Sequence, residues 1–150
     1  MIRTRLKEAA CLYDNEFYEG ALISVLLAVA GVSRLRCPKL KDGAAFRAVM
    51  SAVMPEDKRK FLIGKKHYTL AAFCYKFLRC NLVHEAKLPK EVVYKSAKHC
   101  NTARMDVCNG GCGRMVLDHP MVLVIGYKLC IFEPSLNDLS ELFTKKQKCN

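Results

Sequence analysis

Hydrophobic and polar positions follow a helical period through the first two thirds of the chain. Within residues 3–13 the apolar positions recur at spacings of three and four, which predicts an amphipathic helix with an inward stripe of Leu6, Ala9, Ala10 and Tyr13. Residues 21–32 are apolar almost all round and lie before Pro38, so they predict a central helix that is buried on more than one side. This stretch is shorter than the roughly twenty residues that span a membrane, which predicts a protein that is not inserted in one.

Capping residues mark the bounds of the other helices. Asp14 or Asn15 is predicted to cap the central helix, and Asp42 to cap a third helix over 42–53. Thr69 is predicted to cap a fourth helix that continues through Arg79 and ends before Pro89. The side chains of this helix that are predicted to face inward are Leu70, Phe73, Cys74 and Phe77. A short helix over 90–100 follows.

The pattern changes after residue 100. Two runs, 121–125 and 129–132, are rich in β-branched residues and flank Gly126-Tyr127-Lys128, which predicts a β-hairpin. Ser135 and Asp138 have the spacing of a capping box, which predicts a last helix with Leu136, Leu139, Leu142 and Phe143 inward. The prediction is one mainly α domain over 1–150: an up-and-down bundle of four to five helices over 3–100, then a β-rich appendage and last helix over 101–148.

The chain carries a large excess of positive charge. Its 25 Lys and Arg face 14 Asp and Glu, for a formal net charge of +11. Such an excess attracts polyanions, although it also serves solubility alone. The basic residues are spread along the whole chain rather than along one amphipathic helix, which favours nucleic acid over a membrane surface.

The nine cysteines are predicted to be free thiols in a reducing cytoplasm. Several, such as Cys74 and Cys130, lie in apolar runs, and the charged start of the chain is unlike a secretory signal peptide. Cys108 and Cys112, near His99, Cys100 and His119, suggest a zinc site, but three residues separate them and no second matched pair occurs. We therefore expect a glycine turn between two strands there, with no metal and no cofactor.

The segment 79–85 concentrates polar and titratable residues directly after an apolar helical stripe. Five residues turn roughly 500° on a regular helix, so Arg79 and His84 would point about 140° apart. They could act on one atom only if the helix bends or ends between them, or if two copies of the segment face each other across a twofold axis. Cys80 and His84, one helical turn apart, could instead serve a Cys–His hydrolase, but no third orienting residue or oxyanion hole is evident.

The run Phe73-Cys74-Tyr75-Lys76-Phe77-Leu78-Arg79-Cys80-Asn81-Leu82-Val83-His84-Glu85 resembles the signature helix of the HEPN superfamily, whose catalytic members carry Arg, four to six residues, then His. Residues 16–30 are similar to the long central helix of that family, and the resemblance covers about residues 3–90. It implies a HEPN-like helical bundle and a homodimeric, metal-independent endoribonuclease of the kind found in toxin–antitoxin and other defence systems. A cognate antitoxin protein is then an expected partner besides RNA.

The resemblance implies that Arg79 and His84 are the catalytic pair. Histidine can take or give the proton of the 2′-hydroxyl, and the arginine fork suits the charge that develops on the phosphate. Cys80 departs from the family, which usually has a polar residue there; Asn81 could supply the hydrogen bond, and Glu85 completes the supporting set. The basic connector before the motif is the expected RNA contact, through Lys58, Arg59, Lys60, Lys65 and Lys66. A non-catalytic HEPN module that binds nucleotide or protein, and a plain helical interaction protein, remain the alternatives.

Overall fold

The computed structural model describes residues 1–55, 60–63, 66–85, 92–95, 106–107, 115–118 and 120–144. This part of the chain is mainly helical, as predicted. The helices are α1 (Ile2–Asp14), α2 (Tyr18–Arg36), α3 (Asp42–Val53), α4 (Leu70–Phe73), α5 (Cys80–Glu85), α6 (Pro120–Phe132) and α7 (Glu141–Thr144). A π-helical segment, Cys74–Arg79, joins α4 to α5, and a 3-10 helix, Pro134–Leu139, precedes α7.

Helix α2 is the centre of the core, as its apolar run predicted. It packs against α1, α3 and α6, and ten of its 19 residues are buried. Length and composition alone would also allow such a helix to cross a membrane. Here its apolar surface is instead covered by the neighbouring helices, which bury Leu22, Val25, Leu26 and Val29 completely.

The predicted cap of α2 is wrong. Asp14 is the last residue of α1 and Asn15 caps its C-terminus, where the Asn15 side-chain amide donates to the carbonyl of Cys11 at 2.8 Å. The chain then turns at Glu16, which has a φ of 63°, and α2 begins at Tyr18. Asparagine can cap either end of a helix, and here its side chain binds a free carbonyl at the end of α1.

The predicted hairpin over 121–132 is also wrong, because both runs belong to the single helix α6. A short run that is apolar almost throughout has no periodicity that distinguishes a strand from a helix. Gly126, which was expected in the turn, lies inside the helix, and a Cβ atom there would approach the Phe143 ring to 2.4 Å. The glycine therefore allows the fully buried Phe143 to pack against α6.

The capping box at Ser135 does not form. The Ser135 hydroxyl donates to Glu133 at 3.0 Å, while the Asp138 carboxylate accepts two hydrogen bonds from Arg3. The segment begins instead as a 3-10 helix with Pro134 in its first turn. Leu136, Leu139 and Phe143 are buried as expected, whereas Leu142 is exposed; residues 145–148 lie outside the described part of the chain.

Most of the short strands were not predicted. Strands β1 (Lys60–Ile63) and β2 (Lys66–Thr69) pair antiparallel within the basic connector. Strands β3 (Val92–Lys95), β4 (Asp106–Val107) and β5 (Met115–Asp118) form a second sheet in the order β3-β5-β4, in which β5 is parallel to β3 and antiparallel to β4. Of these short strands, only the antiparallel pair on either side of the expected glycine turn, β4 and β5, was predicted; the turn itself, residues 108–114, lies outside the described residues. The helix expected over 90–100 is thus wrong for residues 92–95, and the rest of that range is outside the described residues.

Candidate anion-binding site around Arg79

The motif segment forms one continuous helix, Leu70 to Glu85, with a π-helical insert. Thr69 caps it as predicted, because its hydroxyl accepts from the backbone N–H of Ala72 at 3.2 Å. The inward stripe buries Leu70, Phe73, Cys74 and Leu78 and half-buries Phe77, which fixes the helix against the core. The π-helical turn is wider than an α-helical one, and such inserts recur at functional sites. It ends at Arg79, so Arg79 stands at the junction between two helical geometries.

Arg79 is held by a carboxylate from another helix. Its Nη2 lies 3.1 Å from Oδ2 of Asp42, and its side chain is only 14% exposed. The hydroxyl of Tyr75 donates to the same Asp42 oxygen at 3.2 Å, and the Arg79 guanidinium lies 5.6 Å from the centre of the Tyr75 ring. Guanidinium, phenol and carboxylate thus fix one another, and Arg79 is oriented in advance.

The start of α3 is shaped to admit Tyr75. A Cβ atom at Gly43 would come within 2.8 Å of the Tyr75 ring, so glycine allows the ring to lie against this turn. Burial raises the pKa of Tyr75, and the adjacent Asp42 carboxylate raises it further. The phenol therefore stays protonated near neutral pH and continues to donate to Asp42.

Asp42 was expected to cap α3, and this prediction is wrong. It is the first residue of the helix, its N-cap is Lys41, and no side chain caps this end. Its carboxylate instead faces Tyr75 and Arg79, where the positive end of the α3 dipole still favours it. Sequence spacing showed an acidic residue at a helix start but could not show which side chain from a later helix would reach it.

Further arginines surround this carboxylate. Nε of Arg34, at the end of α2, lies 3.9 Å from Asp42, and the Arg47 guanidinium lies 5.9 Å from the Tyr75 ring centre. Two arginines therefore approach the Asp42 carboxylate and a third lies near the Tyr75 ring, so these four charged side chains together carry a net positive charge. Such a cluster attracts phosphate and carboxylate groups.

A cavity of about 410 Å³ opens beside Arg79, between α1 and the second half of α2. Arg5 and Arg34 also line it, and its other walls are apolar, formed by Ile2, Leu27, Ala30 and Leu35. Nε of Arg79 is buried and has no hydrogen-bond partner among the described residues. Arg79 is thus shared between an internal ion pair and the wall of an open cavity.

His84 lies on a different side of the motif helix. It is exposed, as is its neighbour Val83, which is 41% exposed, whereas Cys80 and Asn81 are half-buried. The backbone is α-helical throughout 80–85, so no bend or end brings His84 to Arg79 within one chain. The side chain of Glu85 lies outside the described part of the structure. The expected 140° divergence therefore applies, and one protomer does not bring the pair together.

The basic connector lies at the other end of the motif helix. Lys60 and Lys66 are exposed on strands β1 and β2, and β2 leads directly into Leu70. Fourteen residues separate Leu70 from His84, a rise of about 20 Å along a regular helix. Any RNA contact by these lysines would therefore fall several nucleotides from a scissile bond at His84; Lys58, Arg59 and Lys65 lie outside the described residues.

Within the described ranges, no group of three or more His, Cys, Asp or Glu side chains is placed to hold a metal ion. The residues considered above for a zinc site lie outside those ranges: Cys108, Cys112, His99, Cys100 and His119. The sequence did not indicate that Asp42 and Tyr75 are partners of Arg79, nor that Arg34 and Arg47 lie beside them. The Tyr75-to-Arg79 spacing of four, which places two side chains on one helix face, was the available signal.

Comparisons with protein-family models, with curated proteins and with solved structures found no match.

Proposed function

We propose that this protein is a HEPN-type endoribonuclease that acts as a homodimer without a metal ion. The observation that carries the proposal is Arg79, a guanidinium that is only 14% exposed, held by Asp42 and placed beside an open, positively charged cavity. A fixed guanidinium suits the phosphorane of RNA cleavage, because it stabilises developing charge without reorganising.

The position of His84 supports the proposal of a homodimer. It is exposed on another face of the same helix, so a shared cleft requires a second motif helix across a twofold axis. The exposed apolar Val83 next to it is the kind of side chain that such an interface would cover. A twofold cleft also brings two copies of His84, one able to serve as base and the other as acid.

The reaction needs no external nucleophile. One His84 imidazole takes the proton of the RNA 2′-hydroxyl, whose oxygen attacks the adjacent phosphorus. Arg79 binds the non-bridging phosphate oxygens, and a protonated His84 gives its proton to the departing 5′-oxygen. The products are a 2′,3′-cyclic phosphate and a 5′-hydroxyl end. The exposed Lys60 and Lys66 are proposed to hold the RNA backbone beyond the cleft.

The test is cleavage of single-stranded RNA in EDTA by the purified protein. His84→Ala should lower the rate by about 10²–10⁴, and Arg79→Ala by about 10²–10³. Arg3→Ala is the matched arginine control, because Arg3 pairs with Asp138 away from the motif, and it should cleave like the wild type. A substrate with 2′-deoxyribose at the scissile position should be inert, and mass spectrometry should find the cyclic phosphate.

Cleavage that requires a divalent ion, or variants that cleave as fast as wild type, would overturn the proposal. Circular dichroism and the elution volume of each variant show whether fold and assembly are retained. Arg79→Lys, which keeps the charge but loses the bidentate fork, separates charge from geometry. It should recover only part of the lost rate.

A non-catalytic HEPN module that binds RNA or nucleotide is the second candidate. It is favoured by the Asp42 carboxylate, which already neutralises Arg79 within the chain. In that case the protein would retard RNA in a gel without cutting it, and His84→Ala would bind as well as the wild type.

A further inference from the structure

We propose that the cavity between α1 and α2 binds a small organic anion with an apolar body, a function beyond RNA cleavage. Its volume of about 410 Å³ lies within the usual range of small-molecule sites. The relevant class is an aromatic or aliphatic carboxylate, sulfonate or phosphate ester.

The charge of the walls selects an anion. Three guanidinium groups, from Arg5, Arg34 and Arg79, line the cavity. Arg5 pairs with Glu8, and the other two approach Asp42, so three cations and two carboxylates leave a net positive charge beside the cavity. Nε of Arg79 is buried and has no hydrogen-bond partner among the described residues. Buried donors are nearly always satisfied, so a shift of the Arg79 side chain toward a bound anion would give this N–H the acceptor that it lacks.

The rest of the lining selects an apolar body. Ile2, Leu27, Ala30 and Leu35 provide its walls, and Leu35 is 68% exposed at the rim. Water that covers these side chains would be released when an apolar ligand enters. A bare inorganic phosphate would leave them wet, so a ligand that also fills the apolar volume should bind more tightly than phosphate alone.

The close approach of α1 to α2 builds the floor of the cavity. A Cβ atom at Gly31 would come within 2.6 Å of the Ile2 side chain, so glycine lets Ile2 lie on α2. The site thus belongs to the folded core and does not depend on the proposed dimer. Arg79 is the only residue that this cavity shares with the proposed cleft. A bound anion would compete with Asp42 for the Arg79 guanidinium.

The test uses 1-anilinonaphthalene-8-sulfonate, an aromatic sulfonate whose fluorescence rises on binding in an apolar site. Arg34→Gln is the first variant, because Arg34 is 75% exposed and its loss does not threaten the fold. Arg34→Gln and Arg79→Gln should each weaken binding roughly tenfold, the effect of losing one charge-assisted hydrogen bond. N-phenyl-1-naphthylamine, which has the same rings without the sulfonate, should bind the variants and the wild type alike.

A second cavity supplies the matched control. It has a volume of about 370 Å³ and is lined by Ile131 and Phe132 of α6, among others. Ile131→Lys should leave sulfonate binding unchanged. The chain has no tryptophan, so Leu35→Trp and Ile131→Trp give single reporters at the two cavities. The bound dye should quench the reporter at position 35 more strongly.

Equal affinity in wild type and both arginine variants would overturn the proposal, as would stronger quenching at position 131. His84→Ala should keep full dye binding. If the protein does not cleave RNA but the arginine variants bind the dye more weakly, the proposed reaction is wrong and the anion site stands. If it cleaves RNA but the arginine variants bind the dye as well as the wild type, only the anion site is wrong.

Discussion

Replacing Asp42 by Asn removes a charge from the Arg79 site while keeping its shape. An amide oxygen at this position can still accept the hydrogen bond from Tyr75, which is 3.2 Å long in the wild type. What is lost is the ionic component of the 3.1 Å contact with Arg79. The variant also removes the longer contact with Arg34, at 3.9 Å, and the favourable charge at the start of α3, so a double-mutant cycle is needed to isolate the pair with Arg79.

The expected magnitude follows from the burial of the two partners. The Arg79 side chain is 14% exposed and that of Asp42 is 36% exposed, so the pair is intermediate between a buried and a surface one. Hydrogen bonds to charged groups contribute about 1.5–3 kcal/mol, and exposed pairs about 0–1 kcal/mol. We expect Asp42→Asn to lower the free energy of unfolding by about 1–2 kcal/mol, because the pair falls between these two classes. This loss corresponds to a decrease in Tm of about 2–8 °C for a chain of this size.

The assay is a double-mutant cycle with Asp42→Asn and Arg79→Met, measured by urea unfolding. A coupling energy of about 1 kcal/mol or more between the two sites is expected. Asp138→Asn is the control, since the Arg3–Asp138 pair is exposed on both sides and its loss should have a smaller effect. A coupling energy near zero, or a greater loss at Asp138, would refute the view that Asp42 fixes Arg79.

Three further predictions concern the C-terminal half of the core. Gly126→Ala should lower Tm although alanine is the better helix former by about 1 kcal/mol, because its Cβ would meet the buried Phe143 ring at 2.4 Å. The Arg36 guanidinium, 2.7 Å away, lowers the pKa of Glu133 below its ordinary value of 4.5, so the stability from this pair is present above pH 4.5 and is lost as the pH falls below it. Burial raises the pKa of Cys130 to about 11, so about one thiol in a thousand is ionised at pH 8, and iodoacetamide should not label it in the native protein.

Each of these predictions has an internal control. Gly20→Ala should be tolerated, because its Cβ would meet only the flexible end of Leu12 at 3.3 Å. The Tm difference between the wild type and Arg36→Gln should shrink in thermal melts below pH 4.5, and a constant difference would contradict the pH assignment. The exposed Cys11 should be labelled under conditions that spare Cys130, as peptide mass spectrometry can show.

Sequence patterns predicted the elements whose apolar positions have a clear helical period. Helices α1 and α3 and the Thr69 cap were found in this way. Helix α2 is apolar almost all round and was predicted instead from the length of its apolar stretch and the proline that follows. Helix α6 was missed because Gly126-Tyr127-Lys128 divides its apolar residues into two short runs, and the glycine was taken for a turn rather than as space for Phe143. That space is visible only when α7 is in place.

The candidate site shows the same limit. Helical geometry predicted from the sequence that Arg79 and His84 diverge within one chain, and the α-helical backbone of 80–85 agrees with this. The Asp42 and Tyr75 partners of Arg79 depend on how α3 packs beside the π-helical insert. Neither the insert nor the cavity has a local signature, because both arise from the packing of distant segments.

The most direct measurement of the shared cleft mixes wild-type subunits with an Arg79→Ala/His84→Ala double variant and follows RNA cleavage after subunit exchange. At equal amounts, a cleft that draws on both protomers leaves only the wild-type homodimers active, with about one quarter of the rate of the same total amount of wild-type protein. Sites contained within one chain would leave about one half. We expect the rate to fall as the square of the wild-type fraction; a linear fall, or no cleavage by the wild-type protein, would contradict the account.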